Sequence, residues 1–462
     1  MKEQIEKMPL WRIIMYALGQ FGWSILTTMA GLVTYFYIPP ETGQANFPVL
    51  ITREAIFGMT VIGLSGFLAQ IAGLFFDPMI GALSDRSKSR IGRRRLFMLI
   101  SALPVSVVGY FIFHPPTSGP SSLNALWLVG AVVLFNLLMS VYRMPYGALI
   151  PEIGHTSKDR MFLCTVTSVA WAFGFLLAGQ LIYLFKDMLQ SAGMSPVTAF
   201  RTLMAGFSIL GFLLMILPVI FVDEKRYCFG KVSEEKPIES IIKAFQNKDW
   251  VIFTLSTTVY FMTDIFLQLG IVYYITVLMG LSESWVAIMG AAMFGMSFLW
   301  YPFVNIIAEK ISKKKMVIFS FILQTIAFAM IAVAGKVPGI STMAWAWIII
   351  FLEGIIASIA GIVPGAIAAD IIRADAIRTG VHKEGAYAGA GSFFMKIPMS
   401  LPPLVIPTLL LLGRSPDNDL GVRLLAVVAL GLMIISLIIL LFYNEKRTVE
   451  TLASENIEFK KA

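Results

Sequence analysis

The chain has 462 residues, 57% of them hydrophobic and 14% charged, with a formal net charge of +8 and a mean hydropathy of +0.79. So few polar groups cannot cover the surface of a soluble protein, and apolar runs of about 20 residues recur, each long enough to cross a bilayer. Two cysteines, Cys164 and Cys228, and three scattered histidines, His114, His155 and His382, make neither a disulfide framework nor a metal site. No HExxH, Walker loop or nucleophile elbow is present, so an enzyme is not expected.

The first predicted helix covers 12–38. Only Lys2, Lys7 and Arg12 stand at its start, with no short apolar core and cleavage site, so it reads as a retained span. Further helices follow at 55–83, 95–113, 125–150, 162–185 and 199–222. A hydrophilic stretch, 223–248, then divides the chain. Six more helices follow at 249–278, 283–308, 316–335, 342–369, 384–412 and 420–443. The expected organisation is a six-helix bundle over 1–222, a cytoplasmic linker over 223–248, a second bundle over 249–445 and a cytoplasmic tail over 446–462. The fold class is an all-α membrane protein with twelve transmembrane helices in two pseudo-symmetric bundles.

Charge sets the orientation. About 28 of the 36 Lys and Arg fall on the side of the termini, against six on the other: Arg53, Lys186, Arg201, Lys336, Arg414 and Arg423. The positive-inside rule then makes both termini cytoplasmic, in an inner or plasma membrane. The basic balance is a topology signal helped by anionic lipid headgroups, not a nucleic-acid surface.

The halves echo one another. Asp77-Pro78 through Asp85-Arg86 aligns with Tyr301-Pro302 through Glu309-Lys310 at an offset of 224, so Pro, acid and base keep register. Trp11 pairs with Trp250 and Tyr35 with Tyr274 at an offset of 239. Repeated halves place a substrate site between them near the midplane, reached alternately from either side.

The run Asp77-Pro78-x-x-Gly81-x-x-Ser84-Asp85-Arg86-x3-Arg90-x-Gly92-Arg93-Arg94-Arg95 resembles the signature of the glycoside–pentoside–hexuronide:cation symporters, a branch of the major facilitator superfamily that includes melibiose carriers. Pro145-x5-Pro151-Glu152, Ala369-Asp370 and Thr379-Gly380-x3-Glu384-Gly385 leading to Lys396 extend the likeness over nearly the whole chain. The resemblance implies secondary active transport of a sugar or glycoside-like solute by a protein working as a monomer. It implies no cofactor beyond a coupling proton or monovalent cation, and no partners beyond solute and membrane lipids. A carrier of amphiphilic, lysolipid-like molecules and a non-transporting sensor on the same fold stay open as alternatives. The basic run has its own chemistry. Gly92 allows a tight turn, and Arg86, Arg93, Arg94 and Arg95 can pair with carboxylates at neighbouring helix ends. Asp85, Glu152, Glu309 with Lys310, Asp370 and Glu384 complete this candidate gating set; a plain topology anchor is the alternative.

Five ionisable groups fall inside predicted spans, where each costs about 2.5–3.5 kcal/mol on insertion scales and marks a functional candidate: Asp77, Arg143, Asp264, Glu353 and Lys396. In melibiose-type relatives, the resemblance implies a sodium site made by two carboxylates on the second helix and one on the fourth, with an acid on the first helix and an arginine on the fifth holding the sugar. Here Asp77 matches one of these carboxylates. The other positions fall on Gly73, Arg143, Ser24 or nearby, and about Ser168, while Lys396 matches the lysine of the eleventh helix. A hard cation wants several oxygen ligands, so Arg143 is expected to stand where the cation would sit, paired with Asp77. Lys396 then favours an anionic solute, unless Asp264 or Glu353 neutralises it and the solute is a neutral sugar. Trp23, Tyr142, Tyr146 and Trp171 are candidate stacking surfaces for a sugar ring, with packing or lipid contact as the alternative.

Overall fold

The computed structural model describes residues 6–41, 47–51, 60–154, 157–228, 245–308, 310–379 and 384–453. Among them there is no β-strand. The described residues form fourteen helices and the turns that join them: α1 over Leu10–Tyr37 with a break at Leu32, α2 Val61–Arg86, α3 Arg93–Phe111, α4 Ser122–Ile153. Then come α5, Ser157–Phe175 continued through a wide π turn at Leu176–Gln180 into Leu181–Ser191, α6 Pro196–Phe221 and the short α7 Glu224–Tyr227. The second series is α8 Lys248–Tyr273 with a π turn at Tyr274–Leu278, α9 Ser284–Ala308, α10 Lys313–Val333, α11 Thr342–Thr379, α12 Glu384–Leu410, α13 Leu420–Leu441 and the short α14 Glu445–Ala453. Twelve of these are long and apolar enough to span a bilayer. The protein is therefore a multi-pass membrane protein with the predicted twelve-helix, all-α fold.

Local chemistry sets the helix starts. Thr60, Ser121, Ser195, Asn247 and Ser312 each accept a hydrogen bond from a first-turn backbone N–H of the following helix, and Pro196 takes the first position of α6, where no N–H is needed. The predicted ends hold to within a few residues with three exceptions, the first being the fifth helix, which runs over 157–191 and not 162–185. The second helix begins at Val61, after the Thr60 cap, and not at 55; residues 52–59 lie outside the described ones. The tenth span runs on to Thr379, because Ile367, Ile371 and Ala374 continue its buried stripe beyond 369 at helical spacing.

The chain forms two compact units. Unit 1 comprises Met1–Ser233 with Leu281–Gly290 and Pro403–Leu411; unit 2 comprises Glu234–Gly280, Ala291–Pro402 and Leu412–Ala462. Within unit 1, Tyr16 on α1 stacks on Tyr146 on α4 with ring centroids 4.4 Å apart. Within unit 2, Trp250, Phe253, Tyr260, Phe321, Ile359 and Val363 belong to one buried cluster. In a bilayer lipid tails are as apolar as these side chains, so close packing and polar contacts hold the helices together more than apolar burial does.

Candidate functional site

In unit 1, α2 and α4 bring Asp77 and Arg143 together: Arg143 Nη2 donates to Asp77 Oδ2 at 3.4 Å. Asp77 is buried, while the Arg143 side chain is 29% exposed. The contact uses one nitrogen of the guanidinium; the buried Arg143 Nε–H has no hydrogen-bond partner. Ser24, where the resemblance places an acid, is fully buried and donates to the Trp171 carbonyl at 2.8 Å. Ser168, the arginine position, is exposed.

The aromatic candidates divide. Tyr142 and Tyr146 are fully buried with their hydroxyls committed, to Met215 O at 2.7 Å and Tyr16 O at 2.8 Å. Tyr16 returns a bond to Tyr146 O at 2.6 Å. These rings pack α1, α4 and α6 together and offer no open face. Trp23 and Trp171 are more open: Trp23 Nε1 donates to Gln20 at 3.1 Å, and Trp171 stacks on Phe175 at 5.5 Å.

Unit 2 carries acids of a different kind. Glu353 on α11 accepts from Gln324 Nε2 on α10 at 2.7 Å. Asp264 on α8 accepts from Gln268 Nε2, one turn on, at 2.6 Å. Lys396 sits half-buried on α12. Withdrawing a carboxylate from water costs several kcal/mol unless it is hydrogen-bonded, and the glutamine amides supply that bond. Neither glutamine was singled out from sequence; the signal available for Gln268 was its i,i+4 spacing from Asp264.

The described gating candidates form a separate cluster in each unit. In unit 1, Glu152 Oε1 takes Arg93 Nη2 at 2.6 Å and Arg94 at 2.6 Å through Nη2 and 3.1 Å through Nε. Arg95 Nε donates to Val219 O at 2.7 Å. Glu224 of α7 caps α3, accepting from the backbone N–H of Arg94 at 3.0 Å and Arg95 at 2.6 Å. Gly92 has φ +133°, and a Cβ there would lie 2.7 Å from Glu224 Oε1, so no other residue fits the turn. In unit 2, Asp370 takes Lys313 Nζ at 2.6 Å, and Glu445 of α14 caps α10 through Lys314 N at 3.1 Å and the Ser312 hydroxyl. Lys310 is exposed; Glu309 and the side chains of Asp85, Arg86 and Glu384 lie outside the described residues. The caps Glu224 and Glu445 were not singled out from sequence. Their signal was an acid directly after each sixth span, facing a basic helix start.

Comparison with known proteins places this architecture. The family described as MFS/sugar transport protein matches residues 15–444. The chain belongs to that family. It is thus a secondary active transporter of sugar or glycoside-like solutes, not an enzyme; the lysolipid-carrier and sensor alternatives are not favoured. The uncharacterized symporter YnaJ of Bacillus subtilis is 22% identical, over 96% of this chain and 94% of its own. The isoprimeverose transporter of Lactiplantibacillus pentosus is 21% identical, over 79% of this chain and 75% of its own. The crystal structure of the nucleoside transporter NupG aligns with a TM-score of 0.59 at 11% identity, covering 93% of this chain and 98% of that one, and shows the shared fold. The putative glycoside/cation symporter YagG of Escherichia coli is 26% identical over 27% of this chain and 26% of its own.

Proposed function

We propose that this chain is a proton-coupled symporter of a glycoside-like solute, in which Arg143 has taken the place of the coupling metal cation. The observation that carries this reading is the Asp77–Arg143 contact. A carboxylate already facing a guanidinium offers a sodium ion little, whereas Asp264 and Glu353, held by glutamine amides, can take up and release a proton. The charge asymmetry of the loops supports a protein with both termini in the cytoplasm; helix bundles at 1–222 and 249–445 and a monomer in the inner or plasma membrane complete the proposal. Trp23 and Trp171 are the aromatic surfaces left for a sugar ring, and the arginine–carboxylate clusters on the cytoplasmic side serve as gating contacts.

A second reading concerns the solute's charge. The unspent buried Nε–H of Arg143 favours a solute bearing a carboxylate or sulfonate, which would complete the guanidinium's hydrogen bonds. A thermal-shift screen of the purified protein against neutral glycosides, uronides and sulfonated sugars, with and without sodium, tests both readings. Stabilisation by uronides or sulfonates and none by sodium is expected. A sodium-dependent shift that disappears in Asp77→Asn would overturn the proton-coupled assignment, and a response to neutral glycosides alone would remove the anionic one.

A further inference from the structure

On the side of the membrane opposite the termini, three side chains from distant stretches meet inside unit 1. Tyr35 comes from the end of α1, Lys186 from the last third of α5, and Glu283 immediately precedes α9. They are 3%, 0% and 1% exposed. Lys186 Nζ pairs with Glu283 Oε2 and donates to the Tyr35 hydroxyl at 2.6 Å. That hydroxyl in turn donates to the same Glu283 oxygen. The ammonium lies 5.3 Å from the Tyr35 ring centroid and 5.8 Å from that of Phe47, so aromatic faces wall the pair off.

The origin of Glu283 makes this cluster unusual. Leu281–Gly290 follows α8 in the second half of the chain, yet it packs as part of unit 1, as does Pro403–Leu411 at the same membrane side. Gly290 lets the start of α9 come close: a Cβ there would lie 2.5 Å from Gln180 Oε1. Gln180 closes the π turn of α5, and its buried Oε1 has no hydrogen-bond partner. Wide turns of this kind recur where helices must adjust.

Burying two opposite charges costs several kcal/mol per ion, about as much as their attraction returns, so apolar residues would hold the segment at least as firmly. The ionic arrangement differs in what happens on separation. Parted charges hydrate readily, whereas a parted apolar seam would expose its surface. A buried ion pair therefore suits a contact that closes specifically and opens at small net cost. We infer that Tyr35, Lys186 and Glu283 form an ionic latch that shuts the transporter on the side opposite the termini, and that it breaks in each cycle as Leu281–Gly290 leaves α1 and α5.

The test uses a single cysteine in the latched segment. Ala287, 2% exposed, is replaced by cysteine with Cys164 and Cys228 changed to serine, and a membrane-impermeant maleimide is added from either face. In Lys186→Met or Glu283→Gln, labelling from the face opposite the termini should rise about tenfold or more as the open population grows. Exchanging the two charges should bring it back toward the parent rate. Tyr35→Phe removes one hydroxyl, leaves the ion pair, and should raise labelling by about two- to threefold. It gives a reading even if the charge variants aggregate. A parent-like rate in Tyr35→Phe or in either folded charge variant overturns the latch. So does an equal rise from the termini's face, which would mean general loosening of the helices.

Discussion

The two units keep their intramembrane acids in opposite ways. Asp77 in unit 1 faces a guanidinium, whereas Asp264 and Glu353 in unit 2 accept hydrogen bonds from glutamine amides. The first arrangement sets a fixed positive group against the acid. The second leaves the charge state free to change, because an amide can serve either form of the acid. On the proposed function, the choice of one neighbouring side chain separates an acid that is held from acids that carry the proton.

Breaking the first arrangement should have the largest effect. Removing one partner of a fully buried pair costs about 3–5 kcal/mol because the other charge is stranded. The partial exposure of Arg143 puts Asp77→Asn and Arg143→Gln toward the lower end of that range. Their double variant should recover part of the loss in thermal unfolding. Simple additivity would mean that the two groups do not share an interaction and would leave Arg143 as a direct solute anchor.

The second arrangement is sharpened by Glu353→Gln and Asp264→Asn. Each replaces an acid that has no cation to strand, so stability should change by under about 1 kcal/mol. In proteoliposomes one of them should abolish gradient-driven accumulation while solute exchange persists. Retained proton-driven accumulation in both would end their role as carriers.

Smaller effects follow at the caps, where the units run in parallel. Glu224 holds the start of α3 and Glu445 the start of α10, so alanine at either should cost about 1–2 kcal/mol, as lost helix caps do. The buried Glu224 should be the costlier loss, which chemical denaturation of the two variants can compare.

The mildest probe is Cys228, whose thiol is pushed up to about 12 by burial and then by the charges of Glu152 and Glu224. The thiolate is the reactive form, so alkylation should climb about tenfold per pH unit from pH 7 upward. Glu152→Gln removes a negative charge, lowers the thiol's pKa and should speed alkylation at pH 8. Unchanged rates would show that the Glu152 cluster does not reach Cys228.

Sequence by itself determined the span count, most helix ends and the presence of Asp77, Arg143, Asp264, Glu353 and Lys396 in the membrane. Those follow from local rules: bilayer thickness sets the length of each apolar run, caps set starts, and charge inside a span is rare enough to stand out. Partnerships are not local. Tyr142 and Tyr146 have the composition of a sugar platform, and only packing shows their hydroxyls spent on backbone carbonyls. Lys186 reads as one more base near a helix end. That it is wholly buried against a glutamate 97 positions away was decided by the tertiary structure, because the energy of a buried charge depends on what the fold brings within a few ångströms and not on its neighbours along the chain.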